Sequence, residues 1–210
     1  MNWASLMMAR TLGRESVFAR ESLPQSELLN DVAGKTVAII GNARSLEAAD
    51  HGKAIDGADI VVRINSAPIP DPRSHGSRTD WLAISIPVPD STIQDRKPKR
   101  ILWMTRKRKR LPLWLINDPR FFLNAKTNGE RLGEMIGSPP TTGLLVIDLL
   151  SQSQAKTVTL YGFDFFTSKS LSGNRSAAQV PHDFNAEKSF VMDLISRSDQ
   201  FRMVTTQSPT

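Results

Sequence analysis

The side chain best suited to proton transfer in this sequence is the imidazole of His182, within PHDFNAE at residues 181–187. Near neutral pH, an imidazole can take the proton of a hydroxyl group as that hydroxyl attacks another molecule. Glu187 follows at a distance of about one helical turn, where its carboxylate can orient the ring or cap a helix that starts here. A lone histidine is more often structural than catalytic, so both interpretations of His182 stay open at this point.

Gly41 and Asn42 follow the apolar run TVAII at residues 36–40, where a strand is expected to end. Ligands of open α/β sheets gather at the carboxyl ends of the strands. Glycine lets the backbone approach a ligand closely, and the asparagine amide offers both a donor and an acceptor. A plain β-turn explains the pair about as well. The surrounding residues match neither G-x-G-x-x-G nor G-x-x-x-x-G-K-[ST], which disfavours the common dinucleotide and triphosphate cradles.

A second candidate cradle is SPPTTG at residues 138–143, directly before an apolar stretch that is expected to be helical. The paired prolines stiffen the approach to this helix, and Thr141 or Thr142 can cap it. Gly143 leaves room above the positive end of the helix for an anionic group. An ordinary helix N-cap explains the same residues, and that explanation weakens only if a second cradle lies on the same sheet.

Short apolar, β-branched runs alternate with helix-like segments along the chain. This alternation predicts an α/β fold with a mostly parallel, Rossmann-like central sheet flanked by helices. The expected strands are residues 36–40, 59–64, 81–86, 101–104 and 157–161. The expected helices are residues 45–55, 142–153 and 185–198. Both candidate cradles then lie where a strand ends or a helix begins, which is where unpaired backbone N–H groups can meet a ligand.

Length and composition favour a single domain, because a chain of 210 residues with 40% apolar content can bury one sizeable core. We expect residues 1–30 to form an appended helix or a loose arm, and residues 31–210 to form a single main domain. The sequence has no cysteine, which excludes a disulfide framework, thiol catalysis and thiolate metal sites. It also has no apolar run long enough to span a membrane, so we expect a soluble, cytoplasmic protein.

Basic residues are concentrated in residues 96–110, RKPKRILWMTRKRKR, which begin at Arg96 and end at Arg110. This run contains nine lysines and arginines and no acid, whereas the whole chain has a net charge of +6, so the remainder is acidic overall. Such a run can meet nucleic acid, the anionic inner face of a membrane, or an acidic glycan. A solvated loop explains it equally well. Its only aromatic residue, Trp103, is expected on a buried strand, which disfavours nucleic-acid binding.

Taken in order, these motifs resemble those of glycosyltransferase family 29, the sialyltransferase family, over about residues 37–204. The large sialylmotif of that family has a Gly-Asn after its first strand, a Gly-x-x-Ile-Asp, and a closing Arg-x-Asn-x-Ala-Pro. The matching positions in this chain are Gly41, Asn42, Gly52, Ile55, Asp56, Arg63, Asn65, Ala67 and Pro68. Residues 76–79, GSRT, resemble the Gly-Ser/Asn-Lys/Arg-Thr that follows in the family.

The remaining motifs match in the same order. The small sialylmotif, Pro-Ser-Thr-Gly through Tyr-Gly-Phe, resembles residues 140–143 together with residues 161–163, with a threonine in place of the serine. His182 and Glu187 match the very small motif, His-x4-Glu. Four motifs in the family's order are a specific signal, and they favour the catalytic interpretation of His182.

The resemblance implies the GT-A variant fold of this family and a metal-independent, inverting transfer of a sugar from its CMP conjugate to an acceptor hydroxyl. It assigns roles to nine residues: donor binding to Gly41, Asn42, Asn65, Thr141, Thr142 and Gly143, the general base to His182, and support of the site to Arg63 and Glu187. No metal site and no cofactor beyond the CMP-activated donor are expected. The sequence agrees in having no Asp-x-Asp, the usual metal–diphosphate clamp of other nucleotide-sugar transferases.

The partners implied are a nucleotide sugar and a glycan acceptor, in polysaccharide biosynthesis. The sugar is sialic acid or 3-deoxy-octulosonic acid (Kdo), since both travel as CMP conjugates and share a 2-keto acid centre. Residues 96–110 are expected to attract an acidic glycan or the inner membrane surface, where the protein would be peripheral.

Departures from the family pattern keep two other functions open. Animal members carry a disulfide between motifs and a membrane anchor, and this sequence has no cysteine and no apolar span, so we expect a bacterial-type, soluble member. The histidine of the family's third motif has no counterpart in residues 163–180, where Lys169 or Arg175 would have to replace it. A catalytically degenerate, CMP-binding member is therefore one alternative. A nucleic-acid-binding protein that uses residues 96–110 is the other.

Overall fold

A parallel seven-stranded sheet organises the part of the chain that the computed structural model describes, which is residues 1–66, 68–165 and 181–204. The strands are β1 (Thr36–Ile40), β2 (Ile60–Ile64), β3 (Trp81–Ile84), β4 (Arg100–Trp103), β5 (Phe121–Leu123), β6 (Thr157–Tyr161) and β7 (Phe201–Met203). Their order is β5-β4-β3-β2-β1-β6-β7, and every neighbouring pair is parallel. The predicted α/β fold with a mostly parallel sheet is confirmed. Ala67, Lys169 and Arg175 lie outside the described residues.

Helices connect the strands and cover the sheet. In the described residues they are α1 (Trp3–Thr11), α2 (Glu15–Arg20), α3 (Gln25–Asp31), α4 (Gly52–Asp56), α5 (Pro72–His75), α6 (Asp90–Arg96), α7 (Leu113–Ile116), α8 (Lys126–Ile136), α9 (Thr142–Ser151) and α10 (Phe184–Arg197). Short 3-10 helices span Arg44–Ala48 and Arg108–Arg110. None of the helices in the described ranges has both the length and the apolar character needed to cross a membrane.

All five strands predicted from apolar runs are present, but the edge strands β5 and β7 were missed. Each of these two strands has only three residues, too few for a pattern to stand out. The helix predicted for residues 45–55 is instead a 3-10 helix followed by α4. The first helix ends before Ala49, whose backbone is extended. Helix α4 begins at Gly52, where a Cβ would lie 2.0 Å from the carbonyl oxygen of Pro72.

Both faces of the sheet are buried, which explains why its strands are apolar along their length rather than alternating. On one face α9 is the central element, and every residue from Thr142 to Leu150 is buried there. Leu28 of α3, Leu132 of α8 and Val191 of α10 complete that core. On the opposite face α1, α2 and α7 pack on β3, β4 and β5, and the first 3-10 helix and α4 pack on β1, β2 and β6.

The first thirty residues do not form a single appended helix or a loose arm, because their apolar side chains complete the core. Leu6, Ala9 and Phe18 pack with Trp103 and Phe121 on one face of the sheet. Leu28 belongs to the core on the other face, as given above. The segment therefore spans the β5 edge of the sheet and contacts both faces, as an integral part of the fold.

Candidate active site

A cleft of about 920 Å³ lies over the carboxyl ends of β2, β3 and β4. Three of the predicted site residues line it: Asn65 after β2, Thr142 at the start of α9, and His182 before α10. They come from segments far apart in sequence, and the parallel sheet brings them to one edge. Gly41, Asn42, Thr141, Gly143, Arg63 and Glu187 do not line this cleft.

His182 is half-buried, and its Nδ1 lies 2.6 Å from the carbonyl oxygen of Pro139. A carbonyl oxygen can only accept a hydrogen bond, so Nδ1 must carry the proton that is donated to it. In the neutral ring Nε2 is then unprotonated and can accept a proton. This contact selects the tautomer that a general base needs.

Glu187 is buried and binds Thr141 rather than His182. Its carboxylate accepts the Thr141 backbone N–H at 2.6 Å and the Thr141 hydroxyl at 2.7 Å. The cap of α10 is Asp183, which accepts the N–H groups of Asn185 and Ala186, both at 3.0 Å. The expectation that Glu187 orients the histidine ring or caps its own helix is therefore wrong, because its carboxylate is already engaged at the start of α9.

The connection between α8 and α9 is held to the start of α10 by a set of hydrogen bonds. Besides the bonds of His182 and Glu187, the Asp183 N–H donates to the Ser138 hydroxyl at 3.2 Å. The residue proposed as base and the amino end of α9 therefore share one framework. Glu187 is connected to His182 through the segment from Ser138 to Thr141, to which both side chains bind.

Stability should fall as the pH rises through neutrality, because burial raises the pKa of Glu187 to about 7 from an ordinary value of 4.5. Between pH 4.5 and pH 7 the folded state keeps a proton on Glu187 that the unfolded state releases. The stabilisation that this proton provides is therefore complete below pH 4.5 and is lost as the pH rises through 7. The shift corresponds to a loss on the order of 3 kcal/mol.

Urea denaturation of the wild type and of Glu187→Gln at a series of pH values between 4 and 9 measures this effect. We expect the difference in unfolding free energy between the two proteins to shift in favour of the variant as pH increases. A difference that does not change with pH would contradict a buried carboxyl that titrates near 7. Comparing the two proteins removes the contribution of the three histidines, which both contain.

Thr141 and Thr142 have different roles at the amino end of α9. The Thr141 hydroxyl donates to Glu187 and accepts the Leu144 N–H at 3.2 Å, so it is a helix cap with no donor left for a ligand. The Thr142 hydroxyl lies 2.7 Å from the hydroxyl of Ser85. The backbone N–H groups of Thr142 and Gly143 lie in the first turn, which the helix leaves unpaired. An anion at this end of α9 can therefore meet two amides and the helix dipole.

Gly41 and Gly143 are required by the packing of the chain against itself. A Cβ on Gly41 would lie 2.3 Å from the carbonyl oxygen of Gly162, where β1 and β6 end side by side. A Cβ on Gly143 would lie 2.9 Å from the ring of Phe163. The space that we expected a ligand to use beside these two glycines is filled by the loop that follows β6.

Asn65 links the ends of β2 and β3. Its backbone has a φ of 57°, in the left-handed region that asparagine tolerates better than most residues. Its Oδ1 accepts the Ser85 N–H at 3.2 Å, so the side-chain amide remains as the donor at the cleft wall. Asn42 lies next to it, with Nδ2 3.5 Å from the carbonyl oxygen of Ile64.

Arg63 is buried on β2 and supports the neighbouring loop. Its guanidinium donates to the carbonyl oxygens of His75 and Arg78, each at 2.8 Å. Burial lowers the pKa of Arg63 to about 10, so the side chain stays charged at neutral pH. Asp56 accepts N–H groups of Ser77 and Arg78 in the same loop, at 2.8 to 3.0 Å. These contacts fix residues 75–78, behind the strand end that carries Asn65.

Ser85 is a site residue that the sequence interpretation missed. It contacts both Asn65 and Thr142, as described above, and so joins two of the predicted donor-binding residues. It follows β3 directly. The signal was present, because polar residues at the carboxyl end of a parallel strand often face a ligand, but a strand predicted to continue through residue 86 concealed it.

The basic run at residues 96–110 does not form one surface. Arg108 is buried, where it pairs with Glu15 and donates to the carbonyl oxygen of Asn124 at 2.7 Å. Arg100 donates to Asp31 at 2.9 Å and to Glu27 at 3.0 Å. The cations of this run that line the cleft are Arg106, Lys107 and Arg110. Glu130 and Glu134 of α8 line the same cleft. Part of the run is therefore structural and part lines the cleft, so the alternative of a solvated loop flanking one strand does not describe the whole run.

No cluster of three or more histidine, aspartate or glutamate side chains suited to a metal ion occurs in the described ranges. Metal independence thus remains a prediction from the sequence. The polar groups that line the cleft include an imidazole, hydroxyls, an amide, three cations and the carboxylates of Glu130 and Glu134. The imidazole suits proton transfer, and the cations suit the binding of an anion.

Comparisons with known proteins show a similar family and a similar fold. Residues 14–115 match the family model of glycosyltransferase family 29 (sialyltransferase). Two rice proteins called Sialyltransferase-like protein 3, from Oryza sativa subsp. indica and subsp. japonica, are each 53% identical to this chain over 36 residues. This alignment covers 17% of this chain and 9% of each rice protein, so the match spans only a small part of those relatives.

Solved sialyltransferases share the fold. A mammalian sialyltransferase has a TM-score of 0.62 and 18% identity, over 86% of this chain and 77% of that chain. The sialyltransferase CstII from Campylobacter jejuni, solved in complex with the substrate analogue cytidine-5'-monophosphate, has a TM-score of 0.57 and 15% identity, over 81% and 79% of the two chains. Identities this low establish a common fold and nothing finer.

Proposed function

We propose, from the match of residues 14–115 to glycosyltransferase family 29, that this chain transfers a 2-keto acid sugar from a CMP conjugate to a hydroxyl group of an acceptor glycan. The observation that carries the proposal is the bond from His182 Nδ1 to the carbonyl oxygen of Pro139, which leaves Nε2 as a proton acceptor in the cleft. The sugar is sialic acid or Kdo, because both have the same reacting centre.

In this reaction His182 takes the proton of the acceptor hydroxyl as that oxygen bonds to C2 of the sugar. The bond between C2 and the phosphate oxygen breaks, and its electron pair leaves with CMP. Attack from the side opposite the leaving group inverts the configuration at C2. A sugar hydroxyl is too weak an acid to ionise at neutral pH, so the base must act while the new bond forms.

The leaving group is a monophosphate, which develops less charge than a diphosphate. The amides at the start of α9 and the hydroxyl of Thr142 are suited to that charge. The cations Arg106, Lys107 and Arg110 outnumber the acids Glu130 and Glu134 in the lining of the cleft. Stabilisation of this kind needs no metal ion. Asn65 would contribute its side-chain amide, and Asn42 would bind the donor from the neighbouring strand end.

Solved relatives support the choice of donor and acceptor. CstII structures were determined with CMP and a trisaccharide acceptor, and a mammalian sialyltransferase was determined with Gal-beta-1-3GalNAc-ortho-nitrophenol. Both share the fold of this chain at 14 to 18% identity. That likeness makes a CMP sugar the first donor class to test.

A CMP-release assay tests the proposal with CMP-sialic acid, CMP-Kdo and a UDP sugar as donors, each with and without EDTA. We expect release from at least one CMP sugar, none from the UDP sugar, and no loss of activity on chelation. Activity that disappears with EDTA and returns with magnesium or manganese would overturn the metal-free mechanism. Absence of release from both CMP sugars, with a panel of glycan acceptors, would overturn the transferase.

The missing histidine of the third motif favours one second candidate, a family member that binds CMP without transferring the sugar. Thermal unfolding separates the two functions, because a ligand that binds only the folded state raises the melting temperature. Stabilisation by CMP but not by UMP, combined with no release from either CMP sugar, would establish the binder.

A further inference from the structure

Helix α1 presents an apolar face to solvent. Trp3, Met8 and Leu12 are 67%, 54% and 56% exposed, and Met7 is also exposed. With 3.6 residues per turn, the outward half of the helix carries Trp3, Ala4, Met7, Met8, Thr11 and Leu12, and none of these residues is charged. The opposite half buries Leu6 and Ala9 in the core. A surface helix of a globular protein normally places polar residues on its outward face, so this arrangement requires an explanation.

Helix α1 is anchored to the body of the protein by two hydrogen bonds, one before its first residue and one in its last turn. The amino group of Met1 donates to Asn117 at 2.7 Å, and the Arg10 guanidinium donates to the carbonyl oxygen of Leu111 at 2.6 Å. These contacts fix α1 beside α7, where a further exposed aromatic residue, Trp114, lies between the two anchor points in sequence. Trp3, Met7, Met8, Leu12 and Trp114 together are called the α1 face below.

Cations without an ion pair adjoin the α1 face in sequence or next to its contacts, whereas the acids there are paired: Arg14 follows α1 closely, and Lys109 lies between Arg108, which pairs with Glu15, and Leu111, which binds Arg10. Arg14 and Lys109 are exposed, and no ion pair involves either of them among the described residues. Glu15, next to Arg14, is neutralised by Arg108 and by Lys126 at 3.2 Å. Asp118, close to Asn117, pairs with Arg120 at 2.6 Å. Glu21 lies 4.0 Å from the amino group of Met1. The border of the face is therefore cationic overall.

We propose that the α1 face docks on an anionic lipid bilayer. Tryptophan, methionine and leucine side chains gain free energy by entering the headgroup and upper acyl region, and tryptophan prefers that depth. Lysine and arginine at the border are attracted by anionic headgroups. The combination of an uncharged apolar face and a cationic border matches this surface better than it matches a protein partner of neutral or basic charge. This inference does not depend on the transferase activity.

Vesicle flotation with intrinsic fluorescence tests the proposal, because the four tryptophans divide into two sets. Trp3 and Trp114 belong to the α1 face, whereas Trp81 and Trp103 are buried. We expect flotation with vesicles of equimolar phosphatidylcholine and phosphatidylglycerol, weaker at high salt, and none with phosphatidylcholine alone. Brominated phosphatidylcholine in the anionic vesicles should quench part of the fluorescence, and Trp3→Phe should reduce the quenched part.

Two pairs of variants assign the contact. The combination Trp3→Ser, Met8→Ser and Leu12→Ser should weaken vesicle binding about tenfold or more. Its matched control is Met135→Ser with Met192→Ser, which removes exposed apolar side chains elsewhere and should bind like the wild type. The double variant Arg14→Gln with Lys109→Gln should weaken vesicle binding at low salt. Its control, Lys97→Gln with Lys188→Gln, removes two exposed lysines elsewhere and should bind like the wild type.

Several outcomes would overturn the proposal. These are failure of the wild type to float with anionic vesicles, equal binding to neutral vesicles, and equal loss in the control variants. A concentration-dependent dimer that the triple variant abolishes, with no vesicle binding, would instead assign the face to a second copy of this chain. If the triple variant does not fold, the charge variants and the quenching by brominated lipid still show whether the α1 face binds the bilayer.

Discussion

Replacing His182 with alanine is expected to lower the rate of sugar transfer at least about 100-fold, the lower end of the range for a positioned general base. Affinity for CMP should stay nearly unchanged, because the lost interaction belongs to the transition state. The geometry supports this role, since the Pro139 carbonyl fixes the proton on Nδ1 and leaves Nε2 to act. Rates of CMP release at saturating donor and acceptor, with CMP affinity measured by calorimetry, give both quantities.

His51→Ala is the matched control for the His182 variant. His51 lies beside Tyr161, with ring centroids 5.6 Å apart, and does not line the cleft. We expect this variant to keep its rate within a few-fold of the wild type. Near-normal turnover by a folded His182→Ala protein would end the assignment of the base. A rate loss as large in His51→Ala would show that the effect is structural.

The second large effect is expected at the glycines, and it concerns stability. Gly41→Ala should destabilise the fold by about 3 kcal/mol, because the new Cβ would lie 2.3 Å from a backbone oxygen that cannot rotate away. Gly143→Ala should cost less, since its Cβ meets the Phe163 ring at 2.9 Å and a ring can shift slightly. Chemical denaturation of the variants measures both costs.

Gly129→Ala completes this series as its control. The nearest atom to its Cβ would be Leu145 Cδ2 at 3.8 Å, an ordinary contact, and alanine favours a helix more than glycine by roughly 1 kcal/mol. The expected order of stability is therefore Gly129→Ala highest, then Gly143→Ala, then Gly41→Ala. If Gly143→Ala were as stable as the wild type yet lost CMP binding, the glycine would serve close approach of the ligand instead.

The family and the fold class could be predicted from the sequence, for identifiable reasons. Strands β1 and β3 are apolar along almost their whole length because both faces of the sheet are covered, so they stand out as continuous runs. The motif order predicted a resemblance to glycosyltransferase family 29, and residues 14–115 match the model of that family. The solved sialyltransferases share the predicted fold. His182 was identified by its motif, and the cleft contains it.

Much of the site was decided only by contacts between distant segments. Glu187 and Thr141 are 46 positions apart, and spacing along α10 pointed to His182 instead because local spacing reports only what one helix can bring together. The reason for Gly41 lies in Gly162, which directly follows β6, a strand that pairs with β1 only in the folded sheet. In the same way, buried Arg108 pairs with Glu15, which belongs to a segment that we expected to be an appended helix or a loose arm.

The sequence by itself therefore determined the chemistry available to this protein, its parallel strands and its candidate base, since motif order and apolar runs are local properties. The tertiary structure alone decided which carboxylate holds which helix, which glycine is needed for packing, and which cations reach the cleft. The physical reason is that those outcomes depend on distances across the sheet. Such distances are set when both faces of the sheet pack, and no window of the sequence contains both partners.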